Sequence, residues 1–195
     1  MNIKEYLIND SIIDAIIKDY EDTLGPLTKD KKISSKKRYN YNWALKGGNF
    51  ACAYYTINNE AKKYIAHSAF NKPNELGLLN MFEDRYIIGY RPDLIERQNN
   101  FITQILDEEC SDYSLKYSRS NDTESKIFEQ IAHEFKINNI QKDVIKDITI
   151  WTRRYPCPSC RCVIKSFEEK YNINVTIYYE RKEDNNPCDE GVGCQ

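Results

Sequence analysis

Several features are missing from this sequence, and each absence narrows the field. No run of 18 apolar residues occurs anywhere in the 195, which excludes a membrane-spanning helix. The opening Met1-Asn2-Ile3-Lys4-Glu5-Tyr6 lacks the basic-then-apolar layout of a signal peptide. The expectation is therefore a chain that works in the cytoplasm or is delivered by something outside it. There is no excess of charge: 28 Lys and Arg stand against 30 Asp and Glu, not the strongly basic balance by which many nucleic-acid binders announce themselves. No internal repeat is seen. A secreted disulfide scaffold is also missing, because the seven cysteines are odd in number and three of them crowd into positions 157, 160 and 162. Metal or thiol chemistry is the better reading of that trio.

What is present is a globular composition, 41% hydrophobic and 30% charged, in a chain of 23.0 kDa. That is long enough to bury about 70% of its unfolded surface in one core. Ile3, Leu7, Ile13, Ile16, Ile17 and Tyr20 recur at helical spacing, so a helix is expected from Ile3 to Tyr20, stopped by Gly25-Pro26. Lys29 to Gly48 reads as loop. Its first ten residues hold six basic side chains, with Tyr39, Tyr41 and Trp43 close behind. Basic groups hold phosphates and aromatic rings stack on bases, so this stretch is a candidate contact for a single strand, against the plainer reading of a solvated loop. Phe50–Ile57 and Lys62–Ala69 read as a hairpin about Asn58-Asn59-Glu60. The span from about 72 to 120 reads as an insertion, with one helix on Leu94, Ile95, Gln98, Ile102, Ile105 and Leu106. The later chain alternates helix, strand, helix, strand: Thr123–Phe135, Val144–Thr152, Cys157–Tyr171 and Val175–Tyr179. That order implies right-handed crossovers and parallel pairing. In outline, 1–48 is an N-terminal helix and basic loop, 49–180 the main domain, and 181–195 a polar tail.

The strongest chemical signal is Pro156-Cys157-Pro158-Ser159-Cys160, directly after a strand. Cysteines at i and i+3 in a first helical turn project to one side, where the helix dipole lowers thiol pKa. Two thiolates are thereby offered to one cation. Pro156 suits the helix entrance. Upstream, Asp122 and Glu124 flank one residue at the start of the preceding helix. Asp122 as third ligand would leave the fourth position of a metal open, the catalytic rather than the structural zinc arrangement. Glu124 would then reach water at that position without touching the metal. Taken alone, Asn121, Asp122 and Glu124 are ordinary helix-start residues in a capping-box-like pattern. The cysteine pair alone also fits a thioredoxin-like redox site, but only 35 residues follow Cys160, too few for the rest of that fold.

Together these residues resemble a family. The zinc-dependent cytidine deaminase superfamily carries H-x-E on one helix and P-C-x-x-C on the next. This chain resembles its bacterial polymorphic-toxin branch, the toxin-deaminases, in which D-T-E replaces H-x-E. The resembling stretches are DTESKIFEQIA from Asp122, PCPSCRCVIKSFE from Pro156 and VTIYY from Val175, with a looser likeness in AHSAFN from Ala66. The resemblance implies a cytidine deaminase-like three-layer α/β fold, a mixed sheet of four or five strands with the zinc-site helices on one face. It implies Zn2+ held by Asp122, Cys157 and Cys160, with Glu124 as proton shuttle. Ser68, Asn71, Thr152 and Tyr155 become candidate pocket residues, and Arg153 and Arg154 candidate phosphate contacts at the entrance, with Arg119 a further one; the ordinary reading of these arginines is solvated side chains. The implied activity is deamination of cytosine in single-stranded DNA, with an immunity protein as partner and no membrane role. A deaminase of RNA or of free nucleosides, and a non-catalytic module whose zinc is closed off by Cys162 or His67, are the alternatives. Asp122 in place of histidine gives the ligand set one more negative charge, which raises the pKa of water at the metal. Cys162 and His67 are expected to pack; His133, three turns beyond Asp122 on the same helix, is too far to join the site and is expected at the surface or packed.

Overall fold

The computed structural model describes residues 2–5, 10–73, 81–92, 101, 122–140 and 144–181. Its elements run β1 (Asn2–Glu5), α1 (Ser11–Lys29), α2 (Ser35–Lys46), β2 (Phe50–Ile57), β3 (Glu60–His67), β4 (Ile87–Ile88), α3 (Thr123–Ile137), β5 (Asp147–Arg154), α4 (Pro158–Tyr171) and β6 (Asn174–Arg181). The strands form one mixed sheet in the order β1-β6-β5-β2-β3-β4. β5 and β6 pair in parallel, as helix-linked strands must, while β2 is antiparallel to both β3 and β5.

Period two in the central strands sorts their side chains between two helical layers. From β2, Ala51, Ala53 and Tyr55 join the cluster with Ile148, Ile150, α3 and α4. Phe50 and Cys52 face the other way, with Trp151, α1 and Tyr41 and Ala44 of α2. The result is the three-layer α/β arrangement expected, with both helices of the candidate site on one face. Small Ala51 and Ala53 let α3 lie close to the sheet, and burial covers α3 from Thr123 through Ala132 rather than along one stripe. Part of its cover comes from the span read as an insertion. A Cβ on Gly89 would lie 3.1 Å from the Lys126 backbone, and the Phe101 N–H donates to Glu129 Oε1 at 2.8 Å.

Four expectations are corrected. The sheet has six strands rather than four or five, because β1 adds to the β6 edge and β4 to the β3 edge. The N-terminal helix does not begin at Ile3 or stop at Gly25-Pro26. Asp10 caps it, accepting from the Ile12 and Ile13 N–H groups at 3.0 and 3.1 Å, and it runs on to Lys29 with Pro26 inside. Leu24, fully buried, and Leu27 hold that last turn to the core, which outweighs the helix-breaking cost of the proline. Most of the stretch read as loop is helix: Lys29 ends α1, 30–34 connect, and Ser35–Lys46 form α2. Ser34 caps it, and the Arg38 guanidinium reaches back to the Ile33 carbonyl at 2.6 Å.

The hairpin turn is two residues rather than three, since Glu60 pairs with Ile57. Asn58 and Asn59 both take positive φ, 51° and 65°, the paired left-handed geometry of a tight turn, which asparagine tolerates. The helix expected on Leu94 to Leu106 and the tail beyond Arg181 lie outside the described residues, apart from Phe101.

Phe167 of α4 is the hub of the site-side core, its ring centroid 4.8 Å from Phe128, 4.7 Å from Tyr171 and 5.8 Å from Phe101. Phe167→Ala is expected to lower the free energy of unfolding by about 3–5 kcal/mol, measured by urea denaturation, with Phe167→Leu costing clearly less.

Candidate active site

α3 and α4 start side by side, each from a residue in extended conformation: Asp122 at the N-cap of α3 and Cys157 at the N-cap of α4. An aspartate there normally accepts a backbone N–H of the first turn, an interaction worth about 1 kcal/mol. Asp122 makes no such bond. Its Oδ2 lies instead 3.2 Å from Cys157 Sγ and 3.3 Å from Cys160 Sγ. The three ligand atoms fall within 4.8 Å of one another, the group among the described residues able to hold a metal ion. Pro158, not Pro156, occupies the first turn of α4, where the N–H it lacks would have no helical acceptor. Cys157 Sγ accepts the Cys160 N–H at 3.4 Å, so the backbone of that turn fixes the spacing of the pair.

Glu124, two residues into α3, is buried beside this cluster. Its Oε2 is 3.4 Å from Cys160 Sγ and accepts from the Thr123 hydroxyl at 2.9 Å. Its Oε1 accepts from the Thr152 hydroxyl at 2.7 Å and from Asn49 Nδ2 at 3.3 Å. Burial, and then the Asp122 charge, push the Glu124 carboxyl above its usual range, and the Thr152 and Thr123 bonds oppose the shift. The Cys160 thiol is raised as well, by the hydrogen bond it shares with Cys157 and by burial. Two sulfurs and a carboxylate turned on one point, at the positive ends of two helices, form a donor set that fits a divalent cation preferring soft and borderline ligands.

Of the residues expected at the site, Asp122, Glu124, Cys157, Cys160 and Thr152 are brought together. Thr152 is fully buried and bonds to Glu124 and Asn49, so it positions the carboxylate rather than lining an open pocket. Ser68 Oγ accepts the Asn49 N–H at 3.0 Å. Asn71 lies further along the same loop, its carbonyl accepting the Arg91 N–H at 2.9 Å. Tyr155 lies in the turn before Cys157, its ring edge-on to Tyr179 at 5.0 Å and its hydroxyl accepting from Arg161 at 3.3 Å. Arg154 is exposed, and its backbone N–H donates to Asn49 Oδ1 at 3.2 Å.

Arg153 is a correction. Next to Thr152 on β5, it points to the opposite face of the sheet, buried, donating to the Leu45 and Gly47 carbonyls at 2.9 and 3.2 Å. Alternation along the strand sends it to the end of α2 and away from Glu124. Arg119 and Asn121 lie outside the described residues. Cys162 is buried on α4, away from the converging donors.

Two residues central to this geometry escaped the sequence reading. Asn49 donates to Thr123 Oγ1 at 2.8 Å, to Thr152 Oγ1 at 3.0 Å and to Glu124, tying the start of β2 to both α3 and β5. The only hint of it was its place after Gly47-Gly48 at the head of a strand. Lys126 is the other. Its fully buried ammonium donates to the carbonyls of His67, Ser68 and Phe70 at 2.9, 3.3 and 3.0 Å, fastening the loop after β3 to α3. Nothing in the sequence distinguishes it from a surface lysine.

A model of the toxin-deaminases, described as the BURPS668_1122 family of deaminases, matches residues 28–181. The chain belongs to this family. The match spans α2 to β6, and so takes in every residue of the cluster. No curated protein and no solved structure matches the chain. Within the matched span the D-T-E stretch from Asp122 and the P-C-x-x-C stretch from Pro156 meet at the two helix starts. Among the described residues no helix is long and apolar enough to cross a membrane.

His67, expected to pack, is held from both ring nitrogens. The Ala69 N–H donates to Nδ1 at 3.2 Å, which leaves Nε2 as the protonated nitrogen facing the Gly47 carbonyl at 3.2 Å. Burial lowers its pKa to about 3, with the Arg153 and Lys126 charges adding to the shift and the Gly47 bond opposing it. The folded-state pKa lies below the unfolded value, so the stabilisation is present above about pH 6.5 and is lost as pH falls toward 3. Between these limits His67 is expected to remove up to about 1.4 kcal/mol of stability per pH unit. Comparing urea unfolding of the native chain and His67→Gln at pH 7 and 5 checks this, the variant showing the shallower loss. Lys126→Met removes the shared donor of three loop carbonyls, of which the His67 carbonyl keeps the Phe70 N–H, and is expected to cost about 3 kcal/mol, read by the same method at pH 7.

Proposed function

We propose that this toxin-deaminase is a zinc-dependent hydrolase that converts cytosine to uracil in single-stranded DNA, consuming one water and releasing one ammonia per base. Asp122, Cys157 and Cys160 would hold the zinc, whose chemistry when bound is Lewis acidity and a lowered pKa of coordinated water. The observation that carries the reading is the position of Glu124. A buried carboxyl stands 3.4 Å from a ligand sulfur, close to the metal position yet held by its own hydrogen bonds to Thr152, Thr123 and Asn49.

That placement suits proton transfer. Oε1 is held by the Thr152 hydroxyl and the Asn49 amide, while Oε2, bonded to the Thr123 hydroxyl, is the oxygen that faces Cys160 Sγ and so the one turned toward the ligands. It takes a proton from the attacking water and delivers it to the ring nitrogen, then takes the second proton from the added hydroxyl, which becomes the carbonyl, and passes it to the amine as the carbon–nitrogen bond breaks and ammonia leaves. A carboxyl raised by burial returns protons more readily than an exposed one. Asn49, Thr123 and Thr152 keep its two oxygens from exchanging roles. Ser68, Asn71, Tyr155 and Arg154 are proposed to line the approach of the substrate. The toxin branch supplies the remaining expectations, delivery into a target cell's cytoplasm and an immunity protein that blocks the site.

Mass spectrometry of cytosine-containing single-stranded DNA, duplex DNA, RNA and free cytidine, each incubated with the purified protein, tests the proposal. The single strand is expected to gain about one mass unit per converted base. Glu124→Ala is expected to reduce the rate by about a hundredfold or more while retaining zinc, whereas Asp122→Ala and Cys157→Ser lose the metal by elemental analysis. Conversion confined to RNA or cytidine would move the substrate. Full activity in Glu124→Ala would remove the mechanism.

A further inference from the structure

The helix that replaced the expected loop carries a surface the chemistry above does not use. Tyr39 and Trp43 are four residues apart on α2 and therefore share one face. They are 68% and 37% exposed, whereas the other large apolar side chains of α1 and α2 are buried or partly buried. Trp151, the second of the two tryptophans, is buried in the core. Around the strip stand Lys29, Lys31, Lys32, Lys36, Lys37 and Lys46, all exposed. None of these lysines is in an ion pair among the described residues.

The strip ends at the candidate active site. The Trp43 indole lies over the α2–β2 turn, so close that a Cβ on Gly47 would be 2.8 Å from its Cδ1 and one on Gly48 3.1 Å from its Cη2. Gly48 has φ +62°, which favours glycine there. The next residue is Asn49, in contact with Glu124. Beside the same turn the indole meets His67 edge-on at 5.2 Å, at the head of the Ser68–Asn71 loop.

We propose that α2 is the docking strip for a single-stranded DNA substrate, an inference that rests on the deaminase reading. Tyr39 and Trp43 stack on bases flanking the target, and the neighbouring lysines hold the phosphates. Charge selects a polyanion, and exposed rings select bases with open faces. The two rings are about 6 Å apart along the helix axis, nearly twice the base rise of about 3.4 Å in a duplex strand, which suits an unstacked strand. A free nucleoside reaches the site without touching the strip.

Trp43 is itself the probe. In Glu124→Ala protein, a 20-residue oligodeoxythymidine is expected to quench tryptophan fluorescence and deoxycytidine to leave it unchanged, with Trp43→Phe abolishing the quench. Tyr39→Ala, at an exposed position, is expected to weaken oligomer binding by about tenfold. Lys36→Ala with Lys37→Ala lowers the slope of log affinity against log salt by about 1.4. In turnover, Tyr39→Ala raises KM for a cytosine-containing oligomer and leaves free cytidine unaffected. An oligomer that binds without quenching, equal losses on oligomer and nucleoside, or quenching by RNA but not by DNA would overturn the inference. Nucleoside turnover without DNA binding would end it and leave the deaminase standing. Quenching by DNA with no deamination of any substrate would end the deaminase reading and keep the strip as a binding surface only.

Discussion

Everything at this site depends on one carboxylate being shared by two thiols. Asp122 Oδ2 lies 3.2 and 3.3 Å from Cys157 and Cys160 Sγ, and that meeting requires α3 and α4 to begin side by side. The sheet beneath enforces it. β5 and β6 are parallel neighbours joined by α4, and α3 leads into β5 on the same face, so both helices start near the same end of the strands. Asp122 gives up its own helix cap to make the contact. A local preference yielding to a distant partner is the usual mark of a residue placed for chemistry.

Around that contact the protein builds a polar lattice in place of apolar packing. Asn49 from β2, Thr123 and Glu124 from α3 and Thr152 from β5 bond to one another. Each is held by elements that the core fixes independently, which keeps the carboxyl of Glu124 oriented without solvent. Lys126 acts one turn later on the same helix, gathering three carbonyls of the loop after β3. Its charge is buried where it supplies donors to loop carbonyls. One short helical segment, Asp122 to Lys126, thus supplies a candidate ligand donor, the candidate proton carrier and the anchor of the neighbouring loop.

The opposite layer serves a different purpose. α1 and α2 cover the second face of the sheet, and buried Arg153 closes the end of α2 through the Leu45 and Gly47 carbonyls. That bond holds the turn from which Asn49 enters the site. α2 can then carry exposed aromatic rings and lysines on its outer side, because Tyr41 and Ala44 suffice to seat it.

Legibility in the sequence followed the range of the forces involved. The cysteine pair, the acid two residues from Asp122, the hairpin and the later helix–strand alternation are local patterns, set by helical and strand periods and by spacing within one turn. The sequence by itself determined these, together with the exclusion of a membrane-spanning helix. α2 was hidden because its burial rests on two residues and its face is mostly charged. The run of α1 through Pro26 was hidden because Leu24 and Leu27 gain more from the core than the proline costs. β1 and β4 are edge strands too short to show a period. Tertiary structure alone decided that Thr152 faces Glu124 while Arg153 turns away, that Asn49 belongs to the site, and that Lys126 is buried. Each of these depends on which face of the sheet a side chain takes and on what another element brings against it, and no spacing along the chain encodes that.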